Sequence, residues 1–128
     1  AREMRASRTV LMNRTELQQV LINLIVNAIH AMPKGGRLSL ATADTQRDGV
    51  PGVTVEVADT GVGMSAEVLA RVFDPFYTTK SRQGTGLGLS ITQTLVSRQG
   101  GEIRVRSAPG AGTVFTIWLP EEPLADAS

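Results

Sequence analysis

Arg37-Leu-Ser-Leu-Ala-Thr-Ala-Asp-Thr45, then Gln46 to Gly52, then Val53-Thr-Val-Glu-Val-Ala58, is the stretch whose reading decides the fold. Its two outer parts alternate side-chain character at a period of two, the pattern of a strand with one covered face. Between them stand Asp48-Gly49 and Pro51-Gly52, residue pairs that favour turns. The stretch therefore predicts a hairpin with antiparallel pairing. A second such unit follows near the end, where Glu102–Ser107 and Gly112–Leu119 flank Pro109-Gly110. Thr9–Met12 suits one more short strand.

Helical spacing fills the intervals. Val20, Leu21, Leu24, Ile25, Ala28 and Met32 predict a helix from an N-cap at Thr15 to about Met32, stopped by Pro33 and Lys34-Gly35-Gly36. Ser65 is a candidate cap for a short helix over Ala66–Val72. Leu87, Ile91, Leu95 and Val96 predict a third helix over Leu87–Gln99, ended by Gly100-Gly101. Strands joined by tight turns and interspersed with helices indicate an α+β fold. The expected form is a two-layer sandwich, with helices packed on one face of a mainly antiparallel mixed sheet.

Composition narrows the function classes. The 128 residues suffice for one domain with a real core. Residues 1–120 are read as that domain and 121–128 as a disordered tail. Thirteen basic against twelve acidic residues leave a formal charge of +1, which argues against a nucleic-acid or membrane-surface binder. With no cysteine, disulfides, thiolate metal sites and a cysteine nucleophile are excluded. The apolar run Val20–Ile29, interrupted by Asn23 and Asn27, is far too short to span a bilayer. A cytoplasmic setting is expected, and a start without Met suggests a piece of a longer protein.

Three places carry candidate chemistry. On the first helix, Asn23, Asn27 and His30 fall within about 60° of one another at about 100° per residue. Glu16 and Gln19 share that face. Read alone, it suits a solvated surface as well as a ligand-facing one. However, Ile22, Val26 and Ile29 flank the amides, and amide oxygens can serve a hard cation such as Mg²⁺. Asp59-Thr60-Gly61-Val62-Gly63 follows a strand, and either forms a plain turn or offers a carboxylate to an amino group beside glycines that admit a flat base. Gly84-Thr85-Gly86-Leu87-Gly88-Leu89-Ser90 opens a helix, whose amides and dipole suit phosphate oxygens. Upstream, Lys80 and Arg82 are either solvated charges or closing groups for phosphate. The spacing fits neither the dinucleotide fingerprint nor a P-loop.

Together, and in this order, the elements resemble the nucleotide-binding domain of the GHKL (Bergerat) superfamily, which sensor histidine kinases share with DNA gyrase, MutL and the Hsp chaperones. The likeness is to the kinase branch and covers roughly Thr9 to Pro120. Glu16 to Ala28 resembles its N-box and Asp59 to Gly63 its G1 box. Phe73-Asp-Pro-Phe76 with Tyr-Thr-Thr-Lys80 resembles the F-box, Gly84 to Ser90 the G2 box, and Gly112-Thr113-Val-Phe-Thr the last strand of the domain.

The resemblance implies an ATP-binding catalytic domain that phosphorylates a histidine on a separate dimerisation and phosphoacceptor domain, for relay to a response regulator. It implies Asn27 as a Mg²⁺ ligand, Asn23 as a positioning residue for the metal and phosphates, and Asp59 as acceptor from the adenine amino group. Gly61 and Gly63 would line the base pocket, with Thr113 bonding near adenine through water. Gly84, Thr85, Gly86, Leu87 and Gly88 would hold the phosphates, with Lys80 and Arg82 nearby. Phe73 and Phe76 would serve as lid anchors and partner contacts. From composition, Tyr77 to Gly84 has few apolar anchors and is expected to be disordered without nucleotide and partly ordered with it. His30 stands where many relatives carry Lys. As the only histidine, followed by Ala-Met-Pro, it reads as lining the nucleotide site and not as the phosphate acceptor. The isolated domain is expected to be a monomer with no direct membrane contact. An anti-sigma-type serine kinase or binding module, or another ATPase of the superfamily, is the alternative. The ATPase is disfavoured because an amide at Asn23 cannot take a proton from water.

Overall fold

In chain order, the computed structural model describes residues 2–4, 14–74 and 88–121. They form β1 (Arg2–Met4), α1 (Arg14–His30), β2 (Leu38–Arg47), β3 (Val50–Asp59), α2 (Ala66–Leu69), α3 (Gly88–Arg98), β4 (Glu102–Ser107) and β5 (Thr113–Pro120). The five strands make one sheet in the order β1-β2-β3-β5-β4. β1 pairs parallel to β2 and the other pairs are antiparallel, so the sheet is mixed and mainly antiparallel as expected. The strand expected over Thr9–Met12 lies outside the described residues.

Period-two alternation sets the inner face. Across β3, β5 and β4 the register aligns Val57 with Phe115 and Val105, and Val55 with Ile117 and Ile103. Val20 and Leu24 of α1 and Val96 of α3 pack with these rows in one core. Phe115, Leu24, Ile117, Val20, Val57 and Val96 are fully buried. Each such side chain contributes about 1.5–3 kcal/mol relative to exposure.

Several boundaries moved. The first hairpin turns on two residues, Asp48 and Gly49, with φ of 52° and 81°. Two consecutive left-handed residues match the twist of paired strands, so a tight turn replaces the longer loop expected over Gln46–Gly52. Pro51 and Gly52 lie within β3, where Pro51 O accepts from Glu121 N at 2.9 Å. A Cβ on Gly52 would collide with Leu119 O of β5 and fall 2.6 Å from the Trp118 indole, so the glycine makes room for the neighbouring backbone and that ring. α1 begins at Arg14, which puts Thr15 inside its first turn instead of at the cap. α2 is shorter than expected, though Ser65 caps it, its Oγ accepting from Val68 N at 3.2 Å. Past α2, Phe73 meets Phe115 edge-on, with ring centroids 6.5 Å apart. No helix among the described residues is long and apolar enough to cross a membrane.

Candidate functional site

The apolar rows of the inner face end in a polar one. At that end of the sheet the register aligns Asp59, Thr113 and Ser107 on adjacent strands. All three continue the alternation of the core residues, so they face the helical layer. Asp59 and Thr113 are buried. Asp59 Oδ1 accepts from Gly61 N at 2.8 Å, which curls the chain directly after β3. Its second carboxylate oxygen has no partner among the described residues and is the free acceptor of the row.

The loop that follows is clamped from two sides. Val62 N donates to Ala31 O at the end of α1, and Gly110 N donates to Val62 O from the β4–β5 turn. A Cβ at Gly61 would lie 2.2 Å from Ala31 O, one at Gly63 1.9 Å from Ala108 O, and one at Gly112 2.2 Å from Asp59 O. Close passage of one backbone past another therefore requires these glycines. For Gly61 and Gly63 the sequence suggests the approach of a flat base, a role the close backbone passage neither requires nor excludes. Thr60 adds a cross-link, its Oγ1 accepting from Arg37 N at 2.9 Å.

α1 spaces the rest of the site. Asn23 Nδ2 donates to Gly88 O and to Thr92 Oγ1, both at 3.1 Å, while Thr92 Oγ1 donates to Gly88 O at 2.9 Å. Asn23 Oδ1 accepts from Gln19 Nε2 at 2.8 Å. The Asn23 amide is thus committed within the protein and fastens the first turn of α3 to α1. Asn27, one turn later, is half-buried, and its amide has no partner among the described residues. One further turn on, Ala31 holds the loop after Asp59. At about 1.5 Å rise per residue, the start of α3 and that loop are held roughly 12 Å apart along α1, with the Asn27 amide midway.

His30 is exposed at the end of α1. Ile22, Val26 and Ile29, which flank the amides, are 53%, 42% and 54% exposed. Phe76, Lys80, Arg82, Gly84, Thr85, Gly86 and Leu87 lie outside the described residues, as do Tyr77 to Gly84 as a whole and residues 122–128. Two polar residues escaped the sequence reading: Thr92 and Ser107. Both carried a signal, for Thr92 precedes Val96 by one helical turn and Ser107 continues the inward positions Ile103 and Val105. A polar side chain on a core-facing position requires a partner.

This arrangement can accept hydrogen bonds from a donor at the Asp59 end. It offers a neutral amide oxygen at Asn27 and presents the opening of α3 at the far end. A single neutral oxygen suits a hard cation that takes its remaining ligands from phosphate and water.

Residues 12–123 match the family described as histidine kinase-, DNA gyrase B-, and HSP90-like ATPase. The sensor histidine kinase ZraS of Salmonella typhi is 45% identical over 104 residues, covering 81% of this chain and 22% of that protein. Sporulation kinase E of Bacillus subtilis is 44% identical over 105 residues, covering 82% and 14%. Among solved structures, the nucleotide-free catalytic domain of histidine kinase ThkA has a TM-score of 0.78 at 35% identity, over 94% of this chain and 76% of that one. Full-length ShkA, solved in complex with AMPPNP, has a TM-score of 0.74 at 29% identity, over 98% and 27%. The chain spans about a fifth or less of the length of these two curated relatives.

Proposed function

We propose, because this chain belongs to the histidine kinase-, DNA gyrase B-, and HSP90-like ATPase family and to its histidine-kinase branch, that it binds ATP with Mg²⁺ and donates the γ-phosphoryl group to a histidine. That histidine lies on a separate dimerisation and phosphoacceptor domain, and a response regulator receives the phosphate next. The supporting observation is the order of groups along α1: a loop with a carboxylate oxygen and then an amide that have no partner among the described residues, and the start of α3.

Asp59 accepts from the adenine amino group, and the triphosphate runs along α1 toward α3, where Gly84 to Gly88 hold it and Lys80 and Arg82 approach it. Asn27 supplies one neutral oxygen to Mg²⁺. When bound, the cation neutralises charge building on the phosphate oxygens, which phosphoryl transfer needs more than it needs a strong base. A neutral imidazole is already a nucleophile, so the protein's task is placement and screening. Asn23 serves by holding α3 in position. No carboxylate stands there to draw a proton from water, so futile hydrolysis is slow. The same amide argues against a gyrase-like ATPase.

Calorimetric titration with a non-hydrolysable ATP analogue tests the reading. Asp59→Asn keeps an oxygen for Gly61 N but turns the free acceptor into a donor. Losing a charge-assisted hydrogen bond of about 1.5–3 kcal/mol lowers affinity on the order of 10- to 100-fold. The thermal midpoint of the free protein stays nearly unchanged. Equal affinity for the variant and the parent chain sinks the assignment. In the full-length protein, the expected product is acid-labile phosphohistidine; acid-stable phosphate on a partner serine would favour an anti-sigma-type kinase instead.

A further inference from the structure

The hydroxyl of Ser107 has a complete set of partners. Its Oγ accepts from Met64 N at 2.8 Å, donates to Gly112 O at 2.8 Å and sits 2.8 Å from Thr113 Oγ1. A serine hydroxyl has one hydrogen and two lone pairs. Gly112 O can only accept, so the one hydrogen of Ser107 goes there. Met64 N–H takes one lone pair. In the remaining contact Thr113 must therefore be the donor, and its only hydrogen points inward to Ser107. On its remaining side Thr113 Oγ1 presents lone pairs alone, as does, on the neighbouring strand, the Asp59 oxygen that has no partner among the described residues.

We infer that Ser107 is a positioning residue for base selection: by fixing the Thr113 hydroxyl as an acceptor, it makes the Asp59–Thr113 row accept only. Such a row, with Thr113 Oγ1 meeting the base directly instead of through the water that the resemblance implies, matches an exocyclic amino group and opposes a carbonyl oxygen in the same place, where lone pair would meet lone pair. An unconstrained threonine hydroxyl would rotate and serve either. Through Met64 the same serine also ties down the loop that follows Asp59, so one side chain sets both the polarity and the location of the base-facing edge. This rests on the ATP reading above.

The test compares non-hydrolysable analogues of ATP and inosine triphosphate, which carry an amino group and a carbonyl oxygen at the same ring position. Calorimetric titration of the parent chain is expected to favour the ATP analogue. Ser107→Ala frees the Thr113 hydroxyl and narrows that preference on the order of tenfold, mainly by improving inosine binding. Thr113→Val removes the hydroxyl itself while leaving the Met64 and Gly112 bonds of Ser107 in place. In that background Ser107→Ala leaves the preference unchanged, because the effect passes through Thr113. Should Ser107→Ala fail to fold, Ser107→Thr, which keeps a hydroxyl, is expected to retain the parental preference. If Ser107→Ala weakens both analogues in equal proportion, or Ser107→Thr loses the preference, the serine does not select the base and the inference is overturned while ATP binding stands. If the parent chain binds neither analogue, the ATP reading falls and this inference with it.

Discussion

Asn23 and Asn27 are the same residue type one turn apart, and the fold gives them opposite situations. Asn23 spends both amide hydrogens on Gly88 and Thr92 and its oxygen on Gln19. Asn27 keeps its amide uncommitted among the described residues. If Asn23, Gly88 and Thr92 act as one hydrogen-bonded ring, Asn23→Ala and the near-isosteric Thr92→Val each cost about 1 kcal/mol, since the first takes the donor from the buried Thr92 hydroxyl and the second takes an acceptor from the half-buried Asn23 amide. Their sum overstates the double variant by roughly 0.5 kcal/mol or more, because either change opens the same ring. Urea unfolding of the free protein measures all three, and strict additivity would show that no ring exists. The sequence exposed the pair of amides as unusual on a helix. It had no means to tell them apart, because the difference lies in residues sixty-five and sixty-nine positions away.

At the scale of elements, α1 shows how far periodicity carries. Its apolar residues run almost all round, so two faces compete for the core by composition alone. The packed one is Val20, Leu24 and Ala28, while Ile22, Val26 and Ile29 are left exposed. Leu24→Ala should cost about 2–5 kcal/mol, the range for a fully buried leucine. Ile22→Gln should stay within about 0.5 kcal/mol, as exposed positions do. Denaturant midpoints of the two variants decide it: similar losses would mean that both faces are packed in solution. Of the stripe expected from the sequence, Val20, Leu24 and Ala28 are buried, while Leu21, Ile25 and Met32 are half-buried. Whether the other face meets solvent or a ligand stays open in the sequence, and among the described residues nothing covers Ile22, Val26 and Ile29. The first hairpin was legible in its pairing and misjudged in its loop. Turn propensity marked both Asp48-Gly49 and Pro51-Gly52, and only strand twist and the close approach of Trp118 and Leu119 on β5 choose between them.

For the whole molecule, the sheet brings together at one end what the chain distributes over its length: the strand end at Asp59, Ser107 and Thr113, and the C-terminal turns of α1. A ligand that binds only the folded chain stabilises it by mass action, by about 2.7 kcal/mol at one hundred times its dissociation constant. Thermal melts with an ATP analogue should therefore rise with nucleotide concentration in the presence of Mg²⁺. Chelation of the metal should remove most of the rise, since Asn27 then has no cation to share with the phosphates. A rise that ignores chelation would count against a metal-dependent site.

By itself the sequence settled which segments alternate at a period of two and which at about 3.6, and hence an α+β layering with a mainly antiparallel sheet. It also marked Asp59, Asn27 and the glycine-rich opening of α3 as candidate chemistry, because charge, amide and glycine are local properties of a residue. Tertiary structure alone decided who meets whom. It bound Asn23 to α3 and explained Gly61, Gly63 and Gly112 by backbones passing at close range. It also turned Ser107 into the partner that orients Thr113. Hydrogen bonds are directional and reach only about 3 Å, so their pairing depends on strand register and helix docking, which no local pattern encodes.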